Sequence, residues 1–172
     1  MKKIYKNADK NKNTIKDIVT YILIIIAILL FKKNVISPIK VNGESMMNTL
    51  HDGDIMIMNS ISYRFSDIKR YDIVIINDGN ELIIKRVIGL PGDTVKCVNN
   101  KLYINGKRVR DKYASSKTSD FSVNVDAGEY FVLGDNRSNS MDSRVFGTFK
   151  KKEILGKTSL TIFPFNRVGN KK

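Results

Sequence analysis

A single cysteine, Cys97, and a single histidine, His51, stand among the 172 residues. One cysteine excludes an internal disulfide, so the fold must be held by its own core. One cysteine and one histidine also supply too few favoured ligands for a zinc site. Because His51 is the only imidazole, any Ser/His/Asp or Cys/His mechanism has to run through it. Its setting, TLHDGD, reads as a turn with a solvated histidine, and Cys97 in TVKCVNN reads as a small buried hydrophobe at a strand end. Acids are scarce too, 17 against 30 Lys and Arg, and the net +13 points to a polyanionic partner or surface. The length excludes a large multidomain enzyme, and 42% apolar residues exclude a disordered polyelectrolyte. No internal repeat is visible.

Charge is missing altogether from Ile18 to Phe31 (IVTYILIIIAILLF). Around this run it is dense: six lysines against Asp9 and Asp17 give residues 1–17 a net +4, Lys32 and Lys33 add +2, and +7 remains for residues 34–172. Fourteen helical residues span about 21 Å against a hydrocarbon core of roughly 30 Å, so Ile15 and Asn34 to Ile36 must extend the helix while flanking lysines snorkel. A cleaved signal peptide would need a small-x-small site where KKNVISPIK follows. A buried core helix would need a polar face, and only Thr20 and Tyr21 are partly polar. The expectation is a permanent transmembrane anchor over 18–36. Residues 1–17 then form a basic cytoplasmic tail, and the positive-inside rule places the chain from about residue 40 outside the cell.

Past residue 40 the pattern changes to short β-like runs bounded by Gly, Asn, Asp and Pro: Ile55–Met58, Ile73–Ile76, Leu82–Ile88, Lys101–Ile104 and Tyr130–Leu133. Asp78-Gly79 and Asn105-Gly106 are hairpin dipeptides. This predicts a mostly β, antiparallel, barrel-like domain over 37–172, with 110–125, polar and Ser-rich, as a surface loop or excursion.

Lys85 is the unusual residue in these strands. Alternation puts Ile83, Lys85 and Val87 on one face and Ile84, Arg86 and Ile88 on the other. An amine flanked by Ile and Val can be desolvated, which lowers its pKa and makes it a candidate general base. An edge-strand lysine guarding against aggregation is the plainer alternative. Two serine-containing segments bear on the choice: VNGESMMNTLHDGD (41–54), and GDNRSNSMDSRVFG (134–147), rich in hydrogen-bonding side chains after a strand.

Together with IKRVIGLPGD (84–93), these segments resemble, in order, the motifs of bacterial type I signal peptidases, membrane-anchored Ser/Lys endopeptidases. The resemblance covers the anchor and nearly all of 41–157. It implies that Ser45 is the nucleophile, that Met46 is the residue following it, and that Lys85 is the general base, with Arg86 beside it. It makes Ser140 the hydroxyl that orients Lys85, and Asp142 and Arg144 a structural ion pair next to the site. DGDI (52–55) and RYDIVII (70–76) match the family's intervening segments. The implied substrates are exported preproteins, cut after an Ala-x-Ala type site at the outer face of the membrane. The implied partners are those preproteins and membrane lipid, without nucleic acid or cofactor. The oligomeric state is unspecified, a monomer being the default.

Three positions depart from the family pattern. Asn48 stands where many members carry proline, Gly43 where some carry a serine that helps bind the oxyanion, and Phe163 where tryptophan is common. Other readings compete. A sortase-like cysteine transpeptidase would use His51, Cys97 and Arg144 in that order but leaves the Ser/Lys motifs unexplained. Self-cleaving repressor-type Ser/Lys proteins share the chemistry but lack a span. A non-enzymatic basic domain would bind anionic wall polymer or lipid.

Overall fold

The structure, a computed structural model, describes residues 16–26 and 36–171. Residues 16–26 form helix α1, whose apolar side chains from Ile18 to Ile26 are exposed. Among the described residues no helix is long and apolar enough to cross a membrane. Most of the expected basic tail, and the second half of the expected anchor over 27–35, lie outside the described residues.

The chain from Ser37 to Lys172 is one compact unit. Its strands are β1 (Ile36–Lys40, its first residue just before the unit), β2 (Ile55–Asn59), β3 (Ile73–Asn77), β4 (Leu82–Gly89), β5 (Thr94–Val98) and β6 (Lys101–Ile104). There follow β7 (Lys107–Val109), β8 (Phe121–Asn124), β9 (Glu129–Leu133), β10 (Phe149–Lys150), β11 (Ile154–Phe163) and β12 (Gly169–Asn170). Two single-turn helices interrupt them, α2 (Ser62–Phe65) and α3 (Ser143–Phe146).

The domain is mostly β, with antiparallel ladders throughout the pairs whose register is defined. The larger sheet runs β1-β2-β11-β3-β4-β9-β10, with β12 on β11, and a smaller one runs β7-β6-β5-β8. Among the described residues no pairing joins β1 to β10, so the larger sheet is open where a barrel was expected, and four strands have left it for a second sheet.

Burial explains the sheet order. In β3 all of Ile73, Val74, Ile75 and Ile76 are buried, which suits a continuous β-branched run in a strand covered on both faces. Val74 and Ile76 join Ile83, Val87, Val132 and Phe149 in one cluster, while Ile73 and Ile75 join Met46, Leu50, Met56 and Ile84 in another. A third cluster, with Ile88, Val95, Leu102, Phe131 and Leu133, binds the small sheet to the large one.

Two readings of the sequence need correction. Phe121–Asn124, inside the stretch expected to be a loop, pairs with β5, and the preceding residues fold back over the core: Thr118 is buried and Tyr113 stacks on the Arg86 guanidinium, 3.7 Å from its ring centroid. The ten-residue β11 was not anticipated, because Gly156, Lys157 and Ser159 dilute its apolar pattern and two register shifts against β2 break its alternation. By contrast Asn105 and Gly106, both at positive φ, form the two-residue turn between β6 and β7 that their sequence predicts.

Gly89, where β4 leaves the large sheet, has no room for a side chain. A Cβ there would lie 2.7 Å from Val95 Cγ2, 2.8 Å from Val125 Cγ2 and 2.9 Å from Phe131 Cβ. Gly89→Ala should therefore cost about 1–3 kcal/mol by overpacking, read as a lower urea midpoint at unchanged slope. A wild-type midpoint would contradict this account of the sheet junction.

Candidate active site

Three segments converge on one cleft. The first is the turn between β1 and β2. Its backbone closes on itself, with Met47 N–H donating to Glu44 O and Leu50 N–H to Met46 O, at 3.0 and 2.8 Å. Met46 and Leu50 are sunk in the core, so the turn is pinned from below and Ser45 is left half-buried at the cleft. Gly43, at φ +81°, donates its N–H to Asp52 Oδ1 at 2.8 Å, so DGD holds the approach to the serine. The second aspartate of that motif, Asp54, is fully buried and accepts from His51 N–H and from Arg167 of the C-terminal segment. Asn48 adopts φ +76°, a left-handed conformation that asparagine tolerates and that a proline ring forbids.

The second segment is β4, which sends Lys85 towards the turn. Lys85 Nζ lies 2.8 Å from Ser45 Oγ, and the residue is only 4% exposed. Burial is the largest influence on the amine and holds it below the ordinary lysine range, against the negative charges of Asp142, Glu81 and Asp78, which favour the ammonium. Arg86, on the opposite face, is fully buried and completely occupied. Its Nε and Nη2 donate to Asp135 Oδ1 and Oδ2 at 2.8 and 2.7 Å, and its Nη1 donates to the Tyr71 carbonyl at 3.0 Å.

The third segment follows β9. Asp135, the carboxylate that takes Arg86, also accepts the Thr49 hydroxyl at 2.5 Å, which ties the serine turn to β4. Asn136 N–H donates to Ser45 O at 3.0 Å. Asp142 is buried, accepts Gly134 N–H, and pairs with Arg144 through Nε and Nη2, both at 2.8 Å. Ser140 Oγ is buried and, among the described residues, has no hydrogen-bond partner. Its position comes from Gly134, where a Cβ would sit 2.2 Å from Ser140 Oγ and 2.5 Å from Ser45 O. Ser140 and the Ser45 carbonyl thus both pack on Gly134, and among the described residues the Ser140 hydroxyl makes no bond to Lys85.

Ser45, Met46 and Lys85 therefore line one cleft of about 320 Å³. Arg86, Asp142 and Arg144 brace its surroundings. Cys97 lies apart, in β5, its thiol near the Thr118 carbonyl and pushed up in pKa by burial, and the hollow beside it is lined by neither His51 nor Arg144. Asp135 and Thr49 were not singled out from sequence. The signal for Asp135 was available: a buried arginine needs a carboxylate, and GDNRSNSMDSR offers two, but sequence does not say which arginine each one takes.

Residues 12–163 match the family model described as signal peptidase, peptidase S26. The chain belongs to the signal peptidase I family. Among curated relatives, a signal peptidase I of Bacillus amyloliquefaciens is 41% identical over 97% of this chain and 98% of its own length. Signal peptidase I T of Bacillus subtilis (strain 168) is 40% identical over 97% and 98%. A crystal structure of a signal peptidase I from Enterococcus faecalis V583 is 35% identical, covers 54% of this chain and 97% of its own, and superposes with a TM-score of 0.49. The chain is accordingly a hydrolase of a serine endopeptidase family that removes signal peptides.

For a signal peptidase the Arg86–Asp135 pair sets an energetic condition on the site. Asp135→Asn should destabilise the fold by roughly 3–5 kcal/mol, because it leaves the Arg86 charge buried without a counterion. Chemical denaturation measures this directly. A change under about 1 kcal/mol, within the range of exposed pairs, would show that Arg86 finds another partner or water.

Proposed function

We propose that this chain cleaves exported preproteins after a small-x-small, Ala-x-Ala type site, using Ser45 as nucleophile and neutral Lys85 as general base. The observation that carries the reading is the 2.8 Å approach of a buried lysine amine to a serine hydroxyl in an open cleft. Ser45 Oγ passes its proton to Lys85 Nζ as it attacks the scissile carbonyl. The resulting ammonium then protonates the leaving amine. A water deprotonated by the same amine hydrolyses the acyl-enzyme ester, returning Ser45. Among the described residues the backbone N–H of Ser45 has no acceptor, which leaves it as the donor for the oxyanion.

Substrate recognition rests on β4. Its partner β9 pairs only with Arg86, Val87 and Gly89, so among the described residues Leu82–Lys85 keep a free edge on that side. Across the cleft stand Lys40 to Glu44. A peptide laid along the free edge takes an extended conformation and turns alternate side chains into the cleft. Those side chains meet Val41, Met46 and Ile84, buried core residues that leave little depth, which favours small residues at alternate positions.

The proposed location follows from the substrate. A membrane anchor over 18–36, with the catalytic domain outside, raises the local concentration of preproteins whose apolar segment is still in the bilayer. The uncharged run and the helical residues 16–26 support this. The resemblance gives the Ser140 hydroxyl the role of orienting Lys85, and its unpartnered buried Oγ is free to take that role during turnover.

Cleavage of an Ala-x-Ala precursor, with the cut mapped by mass, tests the reading. Ser45→Ala should abolish turnover with stability unchanged within about 0.5 kcal/mol. Lys85→Arg should be inactive, since guanidinium keeps its proton. The burial-lowered amine makes kcat/KM rise with pH through a pKa below the ordinary ~10.4, because only the deprotonated amine accepts the serine proton. Wild-type activity in Ser45→Ala together with loss in Cys97→Ala would overturn the assignment. Gly43→Ser tests the oxyanion site: the residue has open space but φ +81°, so the variant should lose about 1–2 kcal/mol of stability and gain nothing in kcat. A stable variant with raised kcat would show an unfilled donor position.

A further inference from the structure

Residues 94–124 hold the smaller sheet and the segment that connects β7 to β8. Seven Lys and Arg lie there against Asp111 and Asp120, a net +5 out of the +7 carried by residues 34–172. All seven are exposed, and among the described residues none forms an ion pair. Asp111, by contrast, is taken up by the buried Arg137. Four of the seven, Lys96, Lys101, Lys107 and Arg108, stand on the strands of the small sheet, and the other three, Arg110, Lys112 and Lys117, on the segment between β7 and β8.

Strand alternation puts three of these cations, Lys96, Lys101 and Arg108, on one face. Val95, Cys97, Leu102 and Ile104 turn inward and are buried. The register then places Arg108, Tyr103, Lys96 and Ser122 in one outward row across all four strands, with Lys101 beside it on β6. At about 4.8 Å per strand the row is roughly 14 Å long. A hollow of about 370 Å³ meets the row at Lys96 and Tyr103 and is completed by Thr94, Val98 and Gly106.

Two further observations select the occupant. The large exposed apolar residues of the domain, such as Phe65, Met141, Phe146, Phe163 and Phe165, all lie outside 94–124, so this face has nothing to insert into a bilayer. Tyr103 is the only aromatic residue of the row, too few for a base-stacking platform. Arginine's fork and lysine's point charge both suit phosphate oxygens. We propose that the outer face of the small sheet docks a linear, water-soluble phosphate polymer, along the row from Arg108 to Lys96. The proposal is independent of the catalytic reading.

The test is binding of the full-length chain in neutral detergent to fluorescent long-chain polyphosphate. Lys96→Gln/Lys101→Gln/Arg108→Gln should weaken binding roughly tenfold, as expected for three modest surface contacts, and flatten its salt dependence. Lys150→Gln/Lys151→Gln/Lys152→Gln removes the same charge from another exposed segment and should leave binding near wild type. Arg108→Gln alone should show the same ordering at smaller size, with cooperative thermal unfolding as the control for folding. Equal losses in the two triple variants would mean bulk charge alone and overturn the proposal. So would an unaffected first triple, or a loss that falls on phosphatidylglycerol vesicles or polyglutamate rather than on polyphosphate.

Discussion

The site depends on one buried ion pair. Arg86 and Asp135 are both shielded from water, and their two parallel hydrogen bonds join β4 to the segment after β9. Asp135 then takes the Thr49 hydroxyl, so the turn bearing Ser45 is fastened to the same carboxylate. Tyr113 covers the guanidinium from the far side, and the Ser115 N–H donates to the Asp135 carbonyl. Four stretches of chain far apart in sequence are held in register by groups that have no alternative in a dry interior.

Adjacent residues of β4 meet opposite electrostatic fates. Arg86 has a carboxylate built around it, Asp135. Lys85, one residue earlier on the other face, is buried with a serine hydroxyl as its hydrogen-bond partner, while Asp142, the carboxylate that most favours its ammonium, is bound by Arg144. Burial then outweighs the distant negative charges and pushes the amine towards its neutral form. Strand alternation makes this possible, since it alone separates the two cations by the thickness of the sheet.

How far the sequence could be read follows from how local each signal was. The β-branched run of β3, bounded by Asp72 and Asn77, can hardly be anything but a buried strand, and the apolar neighbours of Lys85 already suggested a desolvated amine. The approach of Ser45 to Lys85 and the Asp142–Arg144 pair were legible as geometry through ordered motifs. β8 was not, because FSVN alternates too briefly within a polar stretch and gains its place from pairing with β5. The open large sheet was hidden too, since closure depends on which edges meet. For Ser140 the motif indicated proximity to the site, whereas the contact made by its hydroxyl depends on Gly134, whose missing side chain lets two segments touch.

The central claim is that Lys85 rests as a neutral amine beside Ser45. Titration of its Nζ and Cε resonances by NMR, assigned by comparison with Lys85→Arg, tests this in the resting protein. The account predicts a Lys85 pKa clearly below the ~10.4 of an ordinary lysine and below that of the exposed lysines in the same spectrum. A Lys85 that titrates together with those exposed lysines would contradict it.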